Sequence, residues 1–319
     1  MAYLRGRGYR GAVVDKETPF VARRVNQAGS ASGAVAALVD HFHRKPPVRA
    51  WSLIVTLYGD AMVPRGGCLW LGSLSEIMAL FRIDAGHVRT AMSRLTADGW
   101  LERVREGRNS YYRLSRRGQG SFMAASRRIY FAHEPDFDGK LRVALLGAEA
   151  GDRARLRKTL EKAGFAALGP AAFVNWTEPA AMPKRAGLFL LHADAGKDAA
   201  ALAGAAWKLA PTGQAYRGFI ERFTPLAAVL DAGGALSDAE ALVARTLLIH
   251  DFRRIVLRDP GLPAALLPPG WPGRDARALT ARIYRQIVGG AEAYLDAHVR
   301  RQSGALPPPG PDFAGRFAT

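Results

Sequence analysis

Apolar residues recur at helical spacing in three segments near the start of this chain: Val48–Tyr58, Leu71–Leu80 and Ala85–Asp98. Asp84 is placed to cap the third helix at its N-terminus, and Gly99 follows the helix as a typical helix-ending residue. Two short runs of strand-forming residues come next, Trp100–Val104 and Ser110–Leu114, with Gly107 between them. The pattern therefore predicts three helices followed by a β-hairpin, which is the element order of a winged helix-turn-helix.

The rest of the chain changes character twice. Strand-like runs come first, at Leu141–Leu146, Ala166–Trp176 and Gly187–His192, with a charged amphipathic helix at Asp152–Ala163 between the first two. Together they predict a small α/β sandwich. Helical segments separated by Pro and Gly follow: Ala199–Leu209, Gln214–Phe223, Asp238–Asp259 and Arg274–Arg300. We divide the chain into a flexible basic extension (1–46, with one short helix at Ser32–Phe42), a three-helix and hairpin domain (47–130), a central α/β domain (131–198), a C-terminal helical domain (199–300) and a loose Pro-rich tail (301–319).

Basic residues outnumber acidic ones, 45 against 28, and give a formal net charge of +17. Residues 1–130 hold 21 basic and 9 acidic residues, so 12 of the 17 excess charges lie there. Such a basic surface favours a polyanionic partner, nucleic acid among others. The single cysteine, Cys68, excludes an internal disulfide, and no apolar run reaches the roughly 18 residues that span a bilayer. We therefore expect a cytoplasmic protein without a membrane partner.

The third predicted helix has two different sides. On a wheel of about 100° per residue, its apolar side consists of Val88, Ala91, Met92 and Leu95. The opposite side carries small or hydrogen-bonding residues with cations beside them: Gly86, His87, Arg89, Thr90, Ser93, Arg94 and Ala97. Small residues let a helix approach the major groove closely, Thr and Ser reach base edges, and Arg reaches guanine or phosphate. Because an ordinary solvated helix has a similar face, the helix alone leaves both interpretations open.

The hairpin after this helix favours nucleic acid. Six arginines and one acidic residue lie in Arg103–Arg117, whereas a merely solvated hairpin would mix both signs. Arg108 is placed at the tip to enter a minor groove, and one of Tyr111 and Tyr112 is expected to pack on sugar or phosphate while the other faces the core. We predict that double-stranded DNA is contacted by Arg65, His87, Arg89, Thr90, Ser93, Arg94, Arg103, Arg105, Arg108, Asn109 and Arg113.

Two parts of the sequence resemble the PaaX family of phenylacetate-degradation repressors. The first is RAWSLIVTLYGDAMVPRGGCLWLGSL (Arg49–Leu74) with HVRTAMSRLTADGWL (His87–Leu101), and the second is LLIHDFRRIVLRDPGLPAALLPPGWPG (Leu247–Gly273) with LTARIYRQ (Leu279–Gln286). The resemblance covers roughly Pro47–Leu295. It implies a multidomain α+β fold with an N-terminal winged helix-turn-helix, a central ferredoxin-like (Cas2-like) α/β sandwich and a C-terminal α-helical domain. It also implies a homodimeric repressor of a catabolic operon, released from an inverted-repeat operator by an aryl-CoA thioester such as phenylacetyl-CoA.

An acyl-CoA effector combines phosphates with an adenine and an apolar acyl group, so its site needs cations and aromatic residues together. The C-terminal segments supply such residues, and we expect the effector to contact Trp207, Tyr216, Arg217, His250, Arg253, Arg254 and Arg258. The alternative interpretation is structural. In that case the arginines pair with Asp251 or Asp259, and the tryptophan and the histidine belong to the core or to an interface.

The sequence offers little support for catalysis. Its seven histidines show no zinc-ligand spacing, and it contains neither a nucleophile elbow nor a phosphate-binding loop. Cas2-type nucleases carry a metal-binding Asp at the end of their first strand, but Leu141–Leu146 is followed by glycine, and Asp194 after a later strand stands alone. We expect no catalytic residue, no metal and no cofactor. A constitutive architectural DNA-binding protein without effector and a metal-dependent Cas2-like nuclease remain as alternatives to the repressor.

Overall fold

The computed structural model describes residues 30–44, 50–131, 134–179, 186–300 and 306–318, which form a mixed α+β architecture. The elements up to residue 131 are α1 (Ala31–His43), α2 (Ala50–Leu57), β1 (Cys68–Trp70), α3 (Leu71–Leu80), α4 (Ala85–Ala97), β2 (Leu101–Glu106), β3 (Asn109–Leu114) and α5 (Arg116–Tyr130). The three strands form an antiparallel sheet in the order β1-β3-β2. No helix in the described part of the chain is both long enough and apolar enough to cross a bilayer.

The three helices and the hairpin predicted in this region are confirmed, and two further elements lie outside the sequence pattern. Strand β1 has three residues, which is too short to display a period of two. Helix α5 (RRGQGSFMAASRRIY) contains two glycines and few apolar residues, which hides its periodicity. It forms because Ser115 Oγ accepts a hydrogen bond from Gly118 N at 3.0 Å, and because Ile129 and Tyr130 at its far end are buried.

Helix α2 continues beyond its last α-helical residue. It becomes a π-helical turn over Tyr58–Met62 and then a 3-10 turn over Val63–Arg65. Gly59 in the π-helical turn lies against the ring of Phe122 in α5, where a Cβ atom would overlap the ring carbons. The glycine therefore lets α5 pack closely on a π-helical segment, a rare structure that is frequent at functional sites.

The central elements are β4 (Lys140–Leu146), α6 (Arg153–Lys162), β5 (Ala166–Ala167), β6 (Ala172–Asn175) and β7 (Leu188–Asp194). The strands form an antiparallel sheet in the order β5-β6-β4-β7. Leu156 and Leu160 of α6 pack with Phe173 of β6 in a small core of their own. The single strand predicted over Ala166–Trp176 is two strands, because the chain reverses at Gly169 and the two pieces pair with each other.

Four helices follow: α7 (Ala199–Ala206), α8 (Leu209–Asp231), α9 (Asp238–Val256) and α10 (Gly273–His298). Helix α8 is much longer than the predicted Gln214–Phe223, because it accommodates Pro225 in its interior. Ser237 and Glu240 form a reciprocal capping box at the start of α9. The stretch Ala241–His250 is buried on every side because α9 contacts α1, α2, α8 and α10. Helix α9 is therefore the centre of the largest core.

A buried carboxylate connects distant parts of this core. Asp60 accepts hydrogen bonds from Arg245 Nε at 2.6 Å, Tyr130 OH at 2.6 Å and Arg316 Nη1 at 3.1 Å. Arg245 is completely buried and also pairs with Glu292 of α10. Burial by itself would lower the pKa of Arg245, but Asp60 and Glu292 hold it above the ordinary value, so this side chain stays charged inside the core.

Helix α1 contains the short helix predicted at Ser32–Phe42, but it is packed rather than part of a flexible extension. It buries Val35, Leu38 and Val39 in the main core. Its C-terminal end also holds the turn between α3 and α4. Two contacts do so: Asp40 pairs with Arg82 at 2.5 Å, and His43 Nε2 is 2.7 Å from Phe81 O. Residues 1–29 of the predicted extension lie outside the described residues.

The described part of the predicted loose tail, residues 306–318, is packed as well. Leu306 and Phe317 are buried in the main core, and Arg316 reaches Asp60. Phe317 takes a positive φ of 54°, which a non-glycine residue adopts only when the surrounding packing holds it there. The segment is therefore fixed by apolar burial, by the Arg316–Asp60 ion pair, and by backbone hydrogen bonds from Gly310 N to Pro64 O and from Phe317 N to Tyr130 O.

We expect Arg245→Met to lower the free energy of unfolding by about 3 kcal/mol, because among the described residues Asp60 then keeps only Arg316, and Glu292 only Arg65, as an ion-pair partner in the core. Urea unfolding followed by circular dichroism measures the change. The matched control is Arg285→Gln on the exposed side of α10, where a change within about 0.5 kcal/mol is expected. Equal effects of the two substitutions would contradict the structural importance of the buried network.

Candidate nucleic-acid interface

Helix α4 starts at a fixed residue because Asp84 caps it. Asp84 Oδ1 accepts hydrogen bonds from the backbone N–H of Gly86 at 2.8 Å and of His87 at 3.0 Å. These bonds, together with one from the His87 ring, lower the pKa of Asp84 to about 2. The cap is therefore ionised at neutral pH and interacts favourably with the positive end of the helix dipole.

The two sides of α4 lie as the sequence predicts. Val88, Ala91, Met92 and Leu95 are at most 7% exposed and pack in the main core. The residues predicted to face DNA are exposed: Gly86, His87, Arg89, Thr90, Ser93, Arg94 and Ala97. The helix thus presents a solvent-facing surface of small and hydroxyl side chains with cations on both flanks.

The flanking cations of α4 differ in how much the protein itself uses them. Arg94 lies 3.7 Å from Asp98 one turn later, and its guanidinium stands 5.5 Å from the ring centroid of Trp51. Arg89 has no ion-pair partner among the side chains that the structure describes. Arg89 is therefore the freer of the two for a phosphate oxygen. Arg94 is held in place near the C-terminal half of the helix.

The hairpin of β2 and β3 carries the second group of cations. Gly107 at its tip takes a φ of 55°, and Arg105, Arg108 and Asn109 are exposed around it. No ion pair involves Arg105 or Arg108 within the described side chains, so their charge is available to a polyanion. Arg103 and Arg113 are also exposed. Each has a neighbour on the opposite strand: Arg103 donates to Ser110 Oγ at 2.7 Å, and Arg113 is 3.3 Å from Glu102.

The expectation that one tyrosine of the hairpin faces sugar or phosphate is wrong. Tyr111 and Tyr112 are 7% and 8% exposed although they point to opposite faces of the sheet. Tyr112 lies opposite Leu69 and belongs to the main core, and Tyr111 lies between Trp70 and the neighbouring strand β2. Strand β1 causes the difference, since it adds a third strand that covers the second tyrosine.

The expectation that Arg65 contacts phosphate is also wrong for this structure. Arg65 is 2% exposed, donates to Glu292 Oε2 from Nε at 2.7 Å and pairs with Asp296 at 2.5 Å. It therefore connects the 3-10 turn after α2 to helix α10. Its sequence neighbours Pro64, Gly66 and Gly67 indicate an exposed loop, and only the position of α10 reveals the two carboxylates.

Two arginines outside the predicted set extend the basic surface. Arg116 and Arg117 are exposed in the first turn of α5, directly after β3. Neither has an ion-pair partner among the described side chains. The run of arginines from the hairpin onwards is the sequence signal that contains them. Because the sequence pattern does not predict α5, however, it does not show that the hairpin ends before these two arginines.

The predicted effector residues do not form one cluster. Trp207 packs in a separate small core beside α7, and Tyr216 is buried in α8 with its OH donating to Asp259 Oδ2 at 2.8 Å. The buried tyrosine has a raised pKa because of burial and of the neighbouring carboxylate. Arg217 follows it on the exposed side of α8. For Trp207 and Tyr216 the structure therefore gives the alternative interpretation, in which both residues contribute to packing.

The remaining four predicted effector residues lie on α9 or directly after it. His250 is 2% exposed, and burial lowers its pKa to about 3, so it is a neutral core residue and is not accessible to a ligand. Arg253 is half-buried, whereas Arg254 and Arg258 are exposed one helical turn apart. The alternative pairing of Arg253 and Arg254 with Asp251 or Asp259 is not formed, since Asp251 pairs with Arg222 and Asp259 accepts a hydrogen bond from Tyr216. Among the described residues, no group of three or more His, Cys, Asp or Glu side chains is arranged to hold a metal ion.

Comparisons with known proteins match both ends of this architecture. Residues 49–118, which include α2 to β3, match the family model of the PaaX-like protein, and residues 207–297 match that of the PaaX-like protein C-terminal domain. The chain is 35% identical over 298 residues to the Transcriptional repressor PaaX of Escherichia coli (strain K12), an alignment that covers 88% of this chain and 93% of the repressor. Among solved structures, it is similar to the Uncharacterized protein Rv0674 from Mycobacterium tuberculosis, with 22% identity, a TM-score of 0.44 and coverage of 83% of this chain and 98% of that one.

Proposed function

Because this chain belongs to the PaaX family, we propose that it is a transcriptional repressor that binds duplex DNA through a winged helix-turn-helix formed by α2, α3, α4, β2 and β3. The observation that carries the proposal is the exposed face of α4, with Thr90 and Ser93 at its centre, beside the arginine-rich hairpin. A helix of this kind fits the major groove, which is about 12 Å wide and presents a distinct pattern of donors and acceptors for each base pair.

The two parts of this surface have different roles in the proposal. Ser93 and Arg94 contact base edges from α4, and Thr90 contributes its hydroxyl, which donates to Gly86 O at 3.1 Å and still has a free acceptor lone pair. Arg105 and Arg108 of the wing, which is the hairpin of β2 and β3, contact the phosphates or the narrow minor groove beside the site. The unpaired charges of the wing supply affinity, and the polar side chains of α4 supply sequence preference.

We assign the central strands and helix α6, within residues 131–198, to a catalytically silent ferredoxin-like (Cas2-like) domain that dimerises. The antiparallel order β5-β6-β4-β7 and the helix α6 between its first two strands support the fold assignment. Strand β7 ends the sheet, and its side chains Phe189, Leu190 and Leu191 are 57%, 48% and 51% exposed. An edge strand with apolar residues on both faces is a ready template for a second strand. We propose that the β7 strands of two copies pair antiparallel to each other. This pairing satisfies the free backbone groups of both edges and has two-fold symmetry.

The proposed dimer determines the symmetry of the operator, and the proposed ligand releases the dimer from the DNA. Two copies related by a two-fold axis recognise an inverted repeat with half-sites one or more helical turns apart. We propose phenylacetyl-CoA, or a related aryl-CoA thioester, as the ligand that relieves repression of a catabolic operon. Arg254 and Arg258, exposed one turn apart at the end of α9 and free of ion pairs among the described side chains, are suited to the phosphates of such a ligand.

Fluorescence anisotropy with labelled DNA from upstream of the regulated operon tests this proposal. We expect tight binding to one inverted repeat and release on addition of phenylacetyl-CoA, whereas phenylacetate and CoA added separately at the same concentration leave the complex intact. Binding without release would indicate a constitutive architectural protein. Similar affinity for every duplex would contradict operator recognition.

The wing arginines are expected to control the dependence of binding on salt. Arg108→Ala should weaken binding to all duplexes and reduce the slope of log K against log salt concentration by about 0.9, because one phosphate is no longer neutralised by the protein. Arg113→Ala should reduce the slope less, because Glu102 already neutralises part of its charge. The control is Arg285→Gln, which lies on the exposed side of α10. A slope unchanged by Arg108→Ala would show that the wing does not contact the phosphates.

Helix α4 is expected to control which sequence is preferred. Ser93→Ala and Arg94→Ala should each cost about 1–3 kcal/mol on the operator but little on unrelated duplex, because base contacts contribute only where the correct base is present. Competition binding against operators mutated at single positions measures the change. Equal losses on all sequences would show that these residues contact only the backbone.

The exposed edge of the central sheet is expected to hold the dimer together. Leu190→Lys with Leu191→Lys should shift the protein towards monomer in sedimentation velocity, because charged side chains on an edge strand oppose strand pairing. The matched control is Leu168→Lys, which is 38% exposed at the opposite end of the sheet beside β5. A stable dimer in the double variant would place the dimer contact elsewhere.

A further inference from the structure

We propose that a cleft between α2, α5 and α9 holds the acyl end of the effector, with the guanidinium of Arg253 binding the carbonyl or carboxylate oxygen of that acyl group. The inference rests on the proposed function, since it locates the site at which a ligand releases the repressor. Three observations support it: the bonding of Arg253, the lining of the cleft, and the position of Phe122 between the cleft and the DNA-binding elements.

Arg253 is a half-buried cation with only neutral partners. Its Nε donates to Thr56 Oγ1 at 2.7 Å, and its Nη2 donates to Ser52 O at 2.7 Å and Ser52 Oγ at 3.0 Å. No carboxylate of the described residues pairs with it, whereas the buried Arg65, Arg245 and Arg316 each have one. A buried charge without an opposite charge is costly, so this guanidinium favours an incoming acceptor.

The protonation behaviour of Arg253 agrees with this bonding. Burial and the adjacent charge of Arg254 lower the pKa of Arg253 to about 10. At neutral pH the group is therefore still a cation, and it can donate its remaining N–H groups to a ligand oxygen. An anionic carboxylate or a polarised thioester carbonyl would compensate the charge that the protein leaves uncompensated.

The cleft beside Arg253 has the lining of a small acyl site and must widen to admit an acyl group. Its cavity volume is about 30 Å³, which has room for no more than about two water molecules. Its polar lining comes from Thr56, Asp60, Ser126, Tyr130 and Arg253, and Asp60 is already paired with Arg245 and Arg316. The apolar wall consists of Val55, Phe122, Ala125, Ile129, Ile249 and Leu257. An apolar pocket with a few converging polar groups is the usual form of a small-molecule site. The combination selects a compact apolar group, an aromatic ring among others, with one oxygen acceptor.

The cleft lies where a ligand could alter the DNA-binding elements. Phe122 also lines a second, closely packed crevice without room for a water molecule, which is lined by Leu95 of α4 and by Trp100 at the start of the wing. The rings of Phe122 and Trp100 are in edge contact, with 6.2 Å between their centroids. Gly59, which also lines the cleft, lies against the Phe122 ring, so we infer that an acyl group entering the cleft moves this ring towards α4.

This displacement gives the release step a physical form. Helix α2 belongs to the proposed DNA-binding domain and α5 follows its wing directly, whereas α9 is the central helix of the C-terminal core. A ligand that fits only when Phe122 has moved binds better to a state in which α4 and the wing have repacked. By linkage, the bound ligand lowers the affinity for DNA by the same factor by which bound DNA lowers the affinity for the ligand.

The experiment uses two probes on the full chain: 4-fluorophenylacetate, followed by ¹⁹F NMR, and phenylacetyl-CoA, followed by calorimetry. We expect both to bind the unaltered protein. Ser126→Phe, which fills the cleft from α5, should abolish binding of both probes. Arg253→Gln should weaken both at least tenfold. The matched controls are Ala124→Phe on the exposed side of α5 and Arg285→Gln on α10, and both should bind as the unaltered protein does.

The outcomes separate the cleft from the proposed effector. Binding of both probes by Ser126→Phe and Arg253→Gln with unchanged affinity would overturn the cleft while leaving phenylacetyl-CoA as effector. Saturable binding of 4-fluorophenylacetate that needs Arg253, without release of DNA by phenylacetyl-CoA, would support the cleft and refute the effector. Binding of neither probe by the unaltered protein would overturn the cleft. Because Ser126 is outside the hydrogen-bond network of Arg253, its variant tests the cleft even if Arg253→Gln folds poorly.

Discussion

The structure depends on one buried carboxylate, Asp60, and on the cations that neutralise it. Arg245 from the central helix α9 and Arg316 from the C-terminal segment both reach this side chain from distant parts of the chain. A buried charge is tolerated only when its partners are held in good geometry, so the π-helical turn that carries Asp60, the helix α9 and the segment 306–318 must assemble together. The proposed DNA-binding domain is thereby fixed to the C-terminal helices through a polar contact as well as through apolar packing.

The arginines of this protein divide according to the carboxylates near them. Arg65 and Arg245 share Glu292 inside the core and contribute to assembly. Arg89 and Arg108 are exposed without an ion pair among the described side chains, so the same side-chain type becomes a surface for a polyanion. Because phosphate contacts gain free energy by releasing counterions, only the second group contributes to DNA affinity. The net charge of +17 therefore overstates the charge that is free to bind DNA.

Arg253 belongs to neither group, and this is why it matters for regulation. It is half-buried between α2 and α9, yet its hydrogen bonds go only to neutral oxygens. An anionic or carbonyl-bearing ligand beside it is therefore electrostatically favourable. Because Arg253 lies where the proposed DNA-binding domain meets the C-terminal core, such a ligand also alters how the two pack together. Helix α1 adds to the same junction, since its C-terminal end holds the turn between α3 and α4 while its apolar side packs on α8 and α9.

The sequence by itself determined the local elements and the proposed DNA-facing side of α4, because these follow from periodicity and capping within a few residues. Asp84, the buried stripe from Val88 to Leu95 and the exposed Ser93 lie as the pattern predicts. Only the tertiary structure decided which cations are free and which ends of the chain are packed. Arg65 looks like a loop residue until α10 brings Glu292 to it from 227 residues away, and Arg316 lies in an apparently loose tail until it meets Asp60. Contacts between residues so far apart in sequence depend on how helices pack, and no local pattern encodes them.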